Sequence, residues 1–333
     1  MTDFTPLKQL GSLRPVTRPV SSIMSAYLEH YRLASLLTAN IDLHAGFFEA
    51  QGFQLWAQVW SPPQPQGTAF VVHGYFDHLG LYRHLLELLL ARGWRVVMWD
   101  LPGHGLSSGA RASIDDFGDY VGCLSALTKE ITHLELADGP WIGIGQSTGA
   151  AILATDALAH GHQTRWDGLA LLAPLVRPWG WQQSSWLHRV VSPFVRSVPR
   201  RFRANTTDLG FADFLRSGDP LQPDRLALTW VSAMRDWIPL LLSMPPSELP
   251  VLILQGEQDL TVDWQWNLAT LTGKFPNADI HRHPEARHHL VNEAKPIRAP
   301  LFHELADFLA GYERRLEPND TLPSTDTCPQ GTP

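Results

Sequence analysis

Short apolar runs and longer amphipathic stretches alternate along most of this chain. Thr68 to Val72 and Arg95 to Trp99 have the length and apolar content of buried strands, and Leu81 to Ala91 between them reads as a helix. Phe117, Tyr120, Val121, Leu124, Leu127 and Ile131 recur at helical spacing, behind Ser113-Ile114-Asp115-Asp116, which resembles a capping box. Trp141 to Ile144 is a strand, and the small residues from Ala150 to Leu158 form a helix. Further strands are predicted at Leu169 to Ala173, Val251 to Leu254 and 279–283, with helices at 261–275 and from Pro300 to about Leu316. Ahead of these, Ser21 is placed to cap a helix carrying Met24, Tyr27, Leu28, Tyr31 and Ala34. Phe47-Phe48 and Phe53 to Trp60, joined across Gln51-Gly52, read as a hairpin.

Strand–helix alternation with short apolar strands predicts an α/β architecture, a mainly parallel sheet covered by helices on both faces. In such sheets chemistry gathers at the C-terminal ends of the strands. The segment 175–249 interrupts the alternation. It carries Trp179, Trp181, Trp186, Trp230 and Trp237 with many prolines, and is expected to be an inserted helical cap. The expected organisation is an N-terminal extension with a helix at 1–44, a core at 45–174 and 250–316, the cap, and a polar disordered tail at 317–333. Residues 1–20 lack periodicity and are expected to wrap the surface or stay mobile.

Composition narrows the function classes. The 333 residues include 44% hydrophobic and 18% charged, enough for a sizeable core. A net charge of −7 argues against nucleic acid as a partner. No run of about 18 apolar residues is present, so no membrane span is expected, and the N-terminus lacks the features of a secretory signal. Cys123 and Cys328 are not expected to pair, which fits a reducing cytoplasm. Arginine outnumbers lysine 22 to 4, a hint of GC-rich codon usage and of a bacterial source.

The chemistry centres on Gly145-Gln146-Ser147-Thr148-Gly149, where a strand meets a helix with a serine at the apex. The apex backbone must be strained to expose the hydroxyl, and the positions two before and two after are crowded enough to require small residues. Free N–H groups at the start of the next helix suit a developing oxyanion. Gly105-Leu106-Ser107-Ser108-Gly109 has the same spacing but comes after a turn-rich loop and opens no helix, so Ser107 is read as part of an ordinary turn. A serine nucleophile needs a histidine to take its proton and a carboxylate to hold that imidazole. The loop after Leu254 supplies Asp259, preferred over Glu257, nearer the strand, and over Asp263, placed in the first helical turn. His281 and His283 alternate within a predicted strand, while spacing leaves His288 and His289 equally eligible as the base. No H-E-x-x-H pair and no dinucleotide-binding glycine fingerprint is present, so neither metal nor cofactor is expected.

Five motifs in order carry a resemblance over about residues 45–315. They are His73-Gly74-Tyr75-Phe76-Asp77-His78 with Leu79-Gly80-Leu81-Tyr82; Asp100-Leu101-Pro102-Gly103-His104-Gly105 with Ser107; Gly145 to Gly149; Gln255-Gly256-Glu257-Gln258-Asp259; and Ala286-Arg287-His288-His289-Leu290-Val291-Asn292-Glu293. The chain resembles α/β-hydrolases of the monoacylglycerol lipase and lysophospholipase type, also described as serine aminopeptidase-like. The resemblance implies the α/β-hydrolase fold and selects His288 as the base, although Glu285 stands where the family has glycine. It also implies an oxyanion hole from the backbone N–H groups of Tyr75 and Thr148, with His73, His78 and His104 as structural loop residues. Gln146 stands where the family often has histidine, and Thr148 where it often has a larger residue. Both departures are expected to bear on the acyl pocket and not on the catalytic set.

The resulting expectation is a serine ester hydrolase that forms an acyl-enzyme on monoacylglycerol, lysophospholipid or similar esters. An amide-cleaving aminopeptidase on the same residues is the variant reading, and a non-catalytic binding protein the alternative from another class. An intact Ser147–Asp259–His288 set argues against the latter. Serine at the apex also excludes the aspartate-nucleophile chemistry of dehalogenases and epoxide hydrolases on similar folds. Between 168 and 207 stand Arg177, Arg189, Arg196, Arg200, Arg201 and Arg203 with no acid. Trp186, Leu187, Val190, Val191, Phe194, Val195 and Val198 lie among them on one helical face, although Pro193 must kink or restart that helix. Such a face suits peripheral contact with the inner face of the membrane or with anionic head groups. The competing expectation packs it on the core and pairs the arginines with Asp208, Asp213, Asp219 and Asp224.

Overall fold

The computed structural model describes residues 3–137, 139–181, 195–200, 202 and 204–313. Strand β1 (Arg14–Pro15), helix α1 (Ser22–His30) and the hairpin of β2 (Asp42–Ala50) and β3 (Phe53–Ser61) come first. Next come β4 (Thr68–Val72), α2 (Arg83–Ala91), β5 (Arg95–Trp99), α3 (Phe117–His133), β6 (Trp141–Gln146), α4 (Thr148–His160) and β7 (Gly168–Leu172). The segment after β7 contributes β8 (Ser197–Pro199), α5 (Leu209–Asp213), β9 (Arg225–Ala227) and α6 (Leu228–Ser243). The chain then returns through β10 (Val251–Gly256), α7 (Trp264–Lys274), β11 (Asp279–His283) and α8 (Lys295–Ala310).

Among the described residues nine strands form one sheet in the order β1-β2-β3-β5-β4-β6-β7-β10-β11. From β5 to β11 all neighbours are parallel, whereas β1, β2 and β3 join antiparallel. The chain leaves β4 for β5 on one side and returns to pair β6 on the other, so the strand order reverses at β4. Alternate residues of β4 divide between the two faces. Phe70 and Val72 pack with residues of α3 and α4, and Ala69 and Val71 with residues of α1, α2 and α8. The parallel strands β4, β5, β7 and β10 are buried along their whole length, as a sheet covered on both sides requires.

Several boundaries differ from the sequence-based expectation, each for a local reason. Asp116, not Ser113, caps α3: its side chain accepts from Gly118 N–H at 2.7 Å, while the Ser113 hydroxyl donates to Thr229. Helix α8 begins five residues before Pro300, which lies inside it, and the proline that marks its start is Pro296 in the first turn. Helix α7 starts at Trp264, because the amides of Thr261 and Val262 are turned toward Asp259. The N-terminal residues are anchored: Phe4, Leu7 and Leu13 are buried, and β1 adds an edge to β2. The segment 175–249 is not purely helical, since β8 and β9 pair as an antiparallel ribbon. Trp186, Arg189, Pro193 and the apolar positions from Leu187 to Phe194, with Arg201, Arg203 and the tail 317–333, lie outside the described residues.

One buried ion pair ties three parts of the chain together. Asp219, in the segment after β7, takes a hydrogen bond from Tyr31 beyond α1 at 2.8 Å and faces His78 Nε2 at 3.0 Å. Leu221 N–H and Gln222 Nε2 complete its shell at 3.0 Å each. Burial alone would lower the His78 imidazole, but Asp219 raises it on balance. Burial would raise the Asp219 carboxyl, but His78, the Leu221 amide and Tyr31 hold it well below the usual carboxylate range. The His78 contribution is therefore full below its unfolded value of 6.5 and is lost as pH rises through the raised one. The Asp219 contribution is present above its unfolded value of 3.8 and is lost as pH falls toward the lowered one. Asp219→Ala should lower the unfolding free energy by about 3–5 kcal/mol, the cost of leaving a buried partner unpaired. Urea titrations at about pH 5.5 and about pH 8.5 should give the larger loss at the lower value.

Candidate active site

Ser147 stands directly after β6 with φ +54° and ψ −109°, a conformation that costs a non-glycine residue about 1–3 kcal/mol. Its neighbours explain the glycines. A Cβ on Gly149 would sit 2.0 Å from the Val72 carbonyl oxygen, and one on Gly145 would sit 2.5 Å from the Ala150 nitrogen. The strained residue is held at both ends: its N–H donates to Leu172 O at 2.8 Å, and its carbonyl accepts from Ala151 and Leu175. Thr148 is the first residue of α4, so its N–H has no carbonyl one turn back to bond.

Ser107 is occupied otherwise. Its hydroxyl donates to Asp100 O at 2.6 Å and accepts from Trp56 N–H at 2.9 Å. The glycine at 105 has φ +50°, and a Cβ there would collide with the Asp100 carboxylate. The second serine motif thus wraps a buried acid, whose oxygens accept from Leu79 and Leu106 N–H at 2.8 Å each.

Asp259 lies in the loop after β10. Its Oδ1 accepts from the amides of Thr261 and Val262, and its Oδ2 accepts from Gln255 Nε2 at 3.2 Å and from His288 Nδ1 at 2.7 Å. The other candidates go elsewhere. Glu257 lies 3.6 Å from Arg282, and Asp263 pairs with Arg177 at 2.6 Å. His281 and His283 both meet Glu304, and His289 Nε2 stands 3.3 Å from Asp77 without hydrogen-bond alignment. With a carboxylate on Nδ1, the His288 proton sits there and Nε2 is left as the basic nitrogen. Burial alone would lower this imidazole; Asp259, by charge and hydrogen bond, together with Asp77 and Glu293, raises it above 6.5 on balance.

The His288 backbone is fixed by groups to which the sequence assigned no such part. Asn205 O accepts the N–H of His288 at 3.1 Å and that of His289 at 2.8 Å. Gln146 Nε2 donates to the His288 carbonyl at 2.8 Å. The expectation that Gln146 bears only on the acyl pocket is therefore corrected: a side chain beside the apex serine holds the histidine loop. Fully buried Glu293 accepts from the amides of Arg287 and Thr207 at 2.6 Å each and from the Thr207 hydroxyl. Asn205 and Thr207 carried no motif, so no signal in the sequence pointed to them.

The loop after β4 brings Tyr75 to the same place. His73 shares its ring nitrogens between Gly74 O and Leu101 N–H, and His104 Nδ1 meets Pro102 O, so both brace backbone. Burial lowers His104 to about 3, and it is neutral. The Tyr75 hydroxyl donates to Ala112 O at 2.6 Å, and its ring stacks on Trp230 at 3.9 Å. Asp77 accepts from the Tyr82 hydroxyl at 3.0 Å. Burial would raise its carboxyl, but His289, His73 and that hydroxyl hold it at about 2.

Ser147, Thr148, Tyr75 and His288 line one cavity of about 350 Å³. Its wall is apolar where Leu175, Trp181, Val231, Met234 and Val262 meet, and Trp179 and Leu260 line it while remaining 52% and 61% exposed. Among the described residues, the expected pairing of the arginines with Asp208, Asp213, Asp219 and Asp224 is not seen. Arg177 pairs with Asp263 and stacks on Trp266, Asp208 caps α5, and Asp219 holds His78.

A family model described as serine aminopeptidase, S33, matches residues 63–295. Phospholipase YtpA of Bacillus subtilis is 24% identical over 270 residues, which is 76% of this chain and 98% of that protein. Monoglyceride lipase of Homo sapiens is 32% identical over 133 residues, 38% of this chain and 41% of the human protein, so that likeness spans about two-fifths of the lipase. Among solved structures, a soluble variant of monoglyceride lipase from Saccharomyces cerevisiae in complex with a substrate analog superposes with a TM-score of 0.70 at 16% identity. It covers 81% of this chain and 95% of its own. That likeness shows the fold, an α/β-hydrolase. The family model spans well over half of the chain, all of β4 to β11 included. The chain belongs to the serine aminopeptidase S33 family and is a hydrolase of the α/β-hydrolase fold.

Proposed function

We propose that the protein is a serine carboxylic-ester hydrolase that cleaves monoacylglycerol, lysophospholipid or similar acyl esters through an acyl-enzyme. The observation that carries this reading is the 2.7 Å contact of Asp259 Oδ2 with His288 Nδ1 at the edge of a cavity that the strained Ser147 also lines. Ser147 attacks the ester carbonyl while His288 takes its proton. The same imidazolium then protonates the departing alcohol. Water, deprotonated by His288, attacks the acyl-enzyme and releases the fatty acid. The N–H groups of Tyr75 and Thr148 receive the oxyanion, each donor worth about 3 kcal/mol of barrier. The apolar wall from Leu175 to Val262 takes the acyl chain. The names of the similar proteins, a phospholipase and monoglyceride lipases, support the substrate class. The segment 175–249 acts as the cap over this cavity.

No helix among the described residues is long and apolar enough to cross a membrane. Exposed Trp179, Phe202 and Leu260 near the cavity support a peripheral meeting with a lipid surface.

Four measurements test these assignments. Ser147→Ala should lower kcat on a p-nitrophenyl ester roughly a thousandfold or more with an unchanged circular dichroism spectrum, because the set acts as a unit; surviving activity would remove Ser147 from the mechanism. His288 must be neutral to act as base, and its value is raised, so the rising limb of kcat/KM should lie above pH 6.5. Asp259→Asn should cut kcat on the order of a thousandfold and move that limb downward, since the raising charge is gone. For the lipid contact, Trp179→Ser with Leu260→Ser should reduce co-sedimentation with phosphatidylglycerol vesicles several-fold; unchanged sedimentation would discard those side chains as the contact.

A further inference from the structure

The cavity is not lined by apolar and catalytic side chains alone. Arg200 lines the cavity with its guanidinium carbon 4.1 Å from the ring centre of Phe76 and 4.4 Å from that of Phe202. Phe76 comes directly after Tyr75 and holds φ +71°, a left-handed backbone that phenylalanine seldom adopts, and this conformation sets the ring beneath the guanidinium. Nη1 donates to Gln222 Oε1 and to Pro223 O at 3.3 Å. Among the described residues Nε and Nη2 take no hydrogen-bond partner and no carboxylate forms an ion pair with this side chain.

The acids whose field reaches Arg200 are engaged elsewhere. Asp77 accepts from Tyr82 and stands beside His289, and Asp219 is shared by His78 and Tyr31. Burial lowers the guanidinium to about 10, so it stays charged at neutral pH. A half-buried cation with donors left open among the described residues, beside a wall fit for an acyl chain, calls for an anion.

We propose that Arg200 is the head-group subsite for an anionic amphiphile, so that the favoured esters carry a phosphate on the alcohol side, as a lysophospholipid does and a monoacylglycerol does not. The planar fork meets two phosphate oxygens at once, which a neutral glycerol head cannot offer. The proposal rests on the ester-hydrolase reading above. The competing role for Arg200 is a pin that holds Gln222 and Pro223 in place, and a pin would serve every substrate equally.

Two measurements separate these roles. kcat/KM for 1-oleoyl-glycerol 3-phosphate and for 1-oleoyl-glycerol is compared in wild type, Arg200→Gln and Arg200→Lys. The ratio of phosphate ester to neutral ester should fall at least tenfold in Arg200→Gln, with Arg200→Lys in between because it keeps charge and loses the fork. A parallel loss on both esters, leaving the ratio unchanged, overturns the proposal in favour of the pin. Calorimetric titration of octyl phosphate into Ser147→Ala, with and without Arg200→Gln, reads the subsite without turnover. Binding at least tenfold weaker in the double variant supports the assignment. Equal affinities, or inorganic phosphate binding as tightly as octyl phosphate, overturn it. If wild type cleaves neither ester, the ester-hydrolase reading fails, and the titration still decides on Arg200.

Discussion

The approach of α4 to the carbonyl end of β4 is the constraint around which the rest is built. Gly149 passes so close to the Val72 carbonyl that no side-chain atom fits between them, and this contact sets the angle at which β6 turns into α4. Ser147 absorbs the turn in its own backbone. The cost is sustained because the residue is over-determined. Its amide is tied to β7, its carbonyl to α4 and to Leu175, and the small residues of α4 are buried along nearly the whole helix. The same geometry leaves the Thr148 amide without an internal partner at the point where β4 delivers Tyr75.

Around that corner, polar groups do what the apolar core cannot, which is to fix loops. The Asp259 carboxylate is oriented by two amides and a glutamine before it reaches His288. His288 in turn is held through its backbone, by Asn205 on one side and Gln146 on the other. Glu293, buried and acidic, gathers amides from two distant stretches. Both carboxylates are satisfied by hydrogen bonds, the condition under which buried polar atoms stabilise a structure.

The inner strands β4, β5, β7 and β10 were legible from the sequence because they are short, mostly apolar and separated from one another by helices or by a break in the alternation. The run Thr68 to Val72 needs no further cue. Helix starts were less so: Ser113 offered a capping pattern, but Asp116 stands one residue ahead of the first helical turn, and Pro300 drew attention that belonged to Pro296. Ser147 was separable from Ser107 because a helix begins directly after the first, whereas the second sits within a run of turns. Choosing between His288 and His289 required a resemblance, since adjacent residues share every local property and differ only in which carboxylate each faces across the fold. Asn205 was invisible because it contributes a backbone carbonyl, which any residue type would provide.

The segment between β7 and β10 touches the loops that carry Asp259 and His288 at two places. At the first, Trp179 N–H donates to Thr261 O, Pro178 bridges to Val262, and Arg177 grips Asp263, all within four residues of Asp259. At the second, Asn205 and Thr207 hold residues 287–294 around His288. The insertion is therefore spliced into both loops that carry the acid and the histidine. Anyone exchanging this segment for that of a relative, to alter which molecules are admitted, must keep residues 177–179 and 205–207 as they are. A graft cut at the strand ends instead would remove the clamps on both loops.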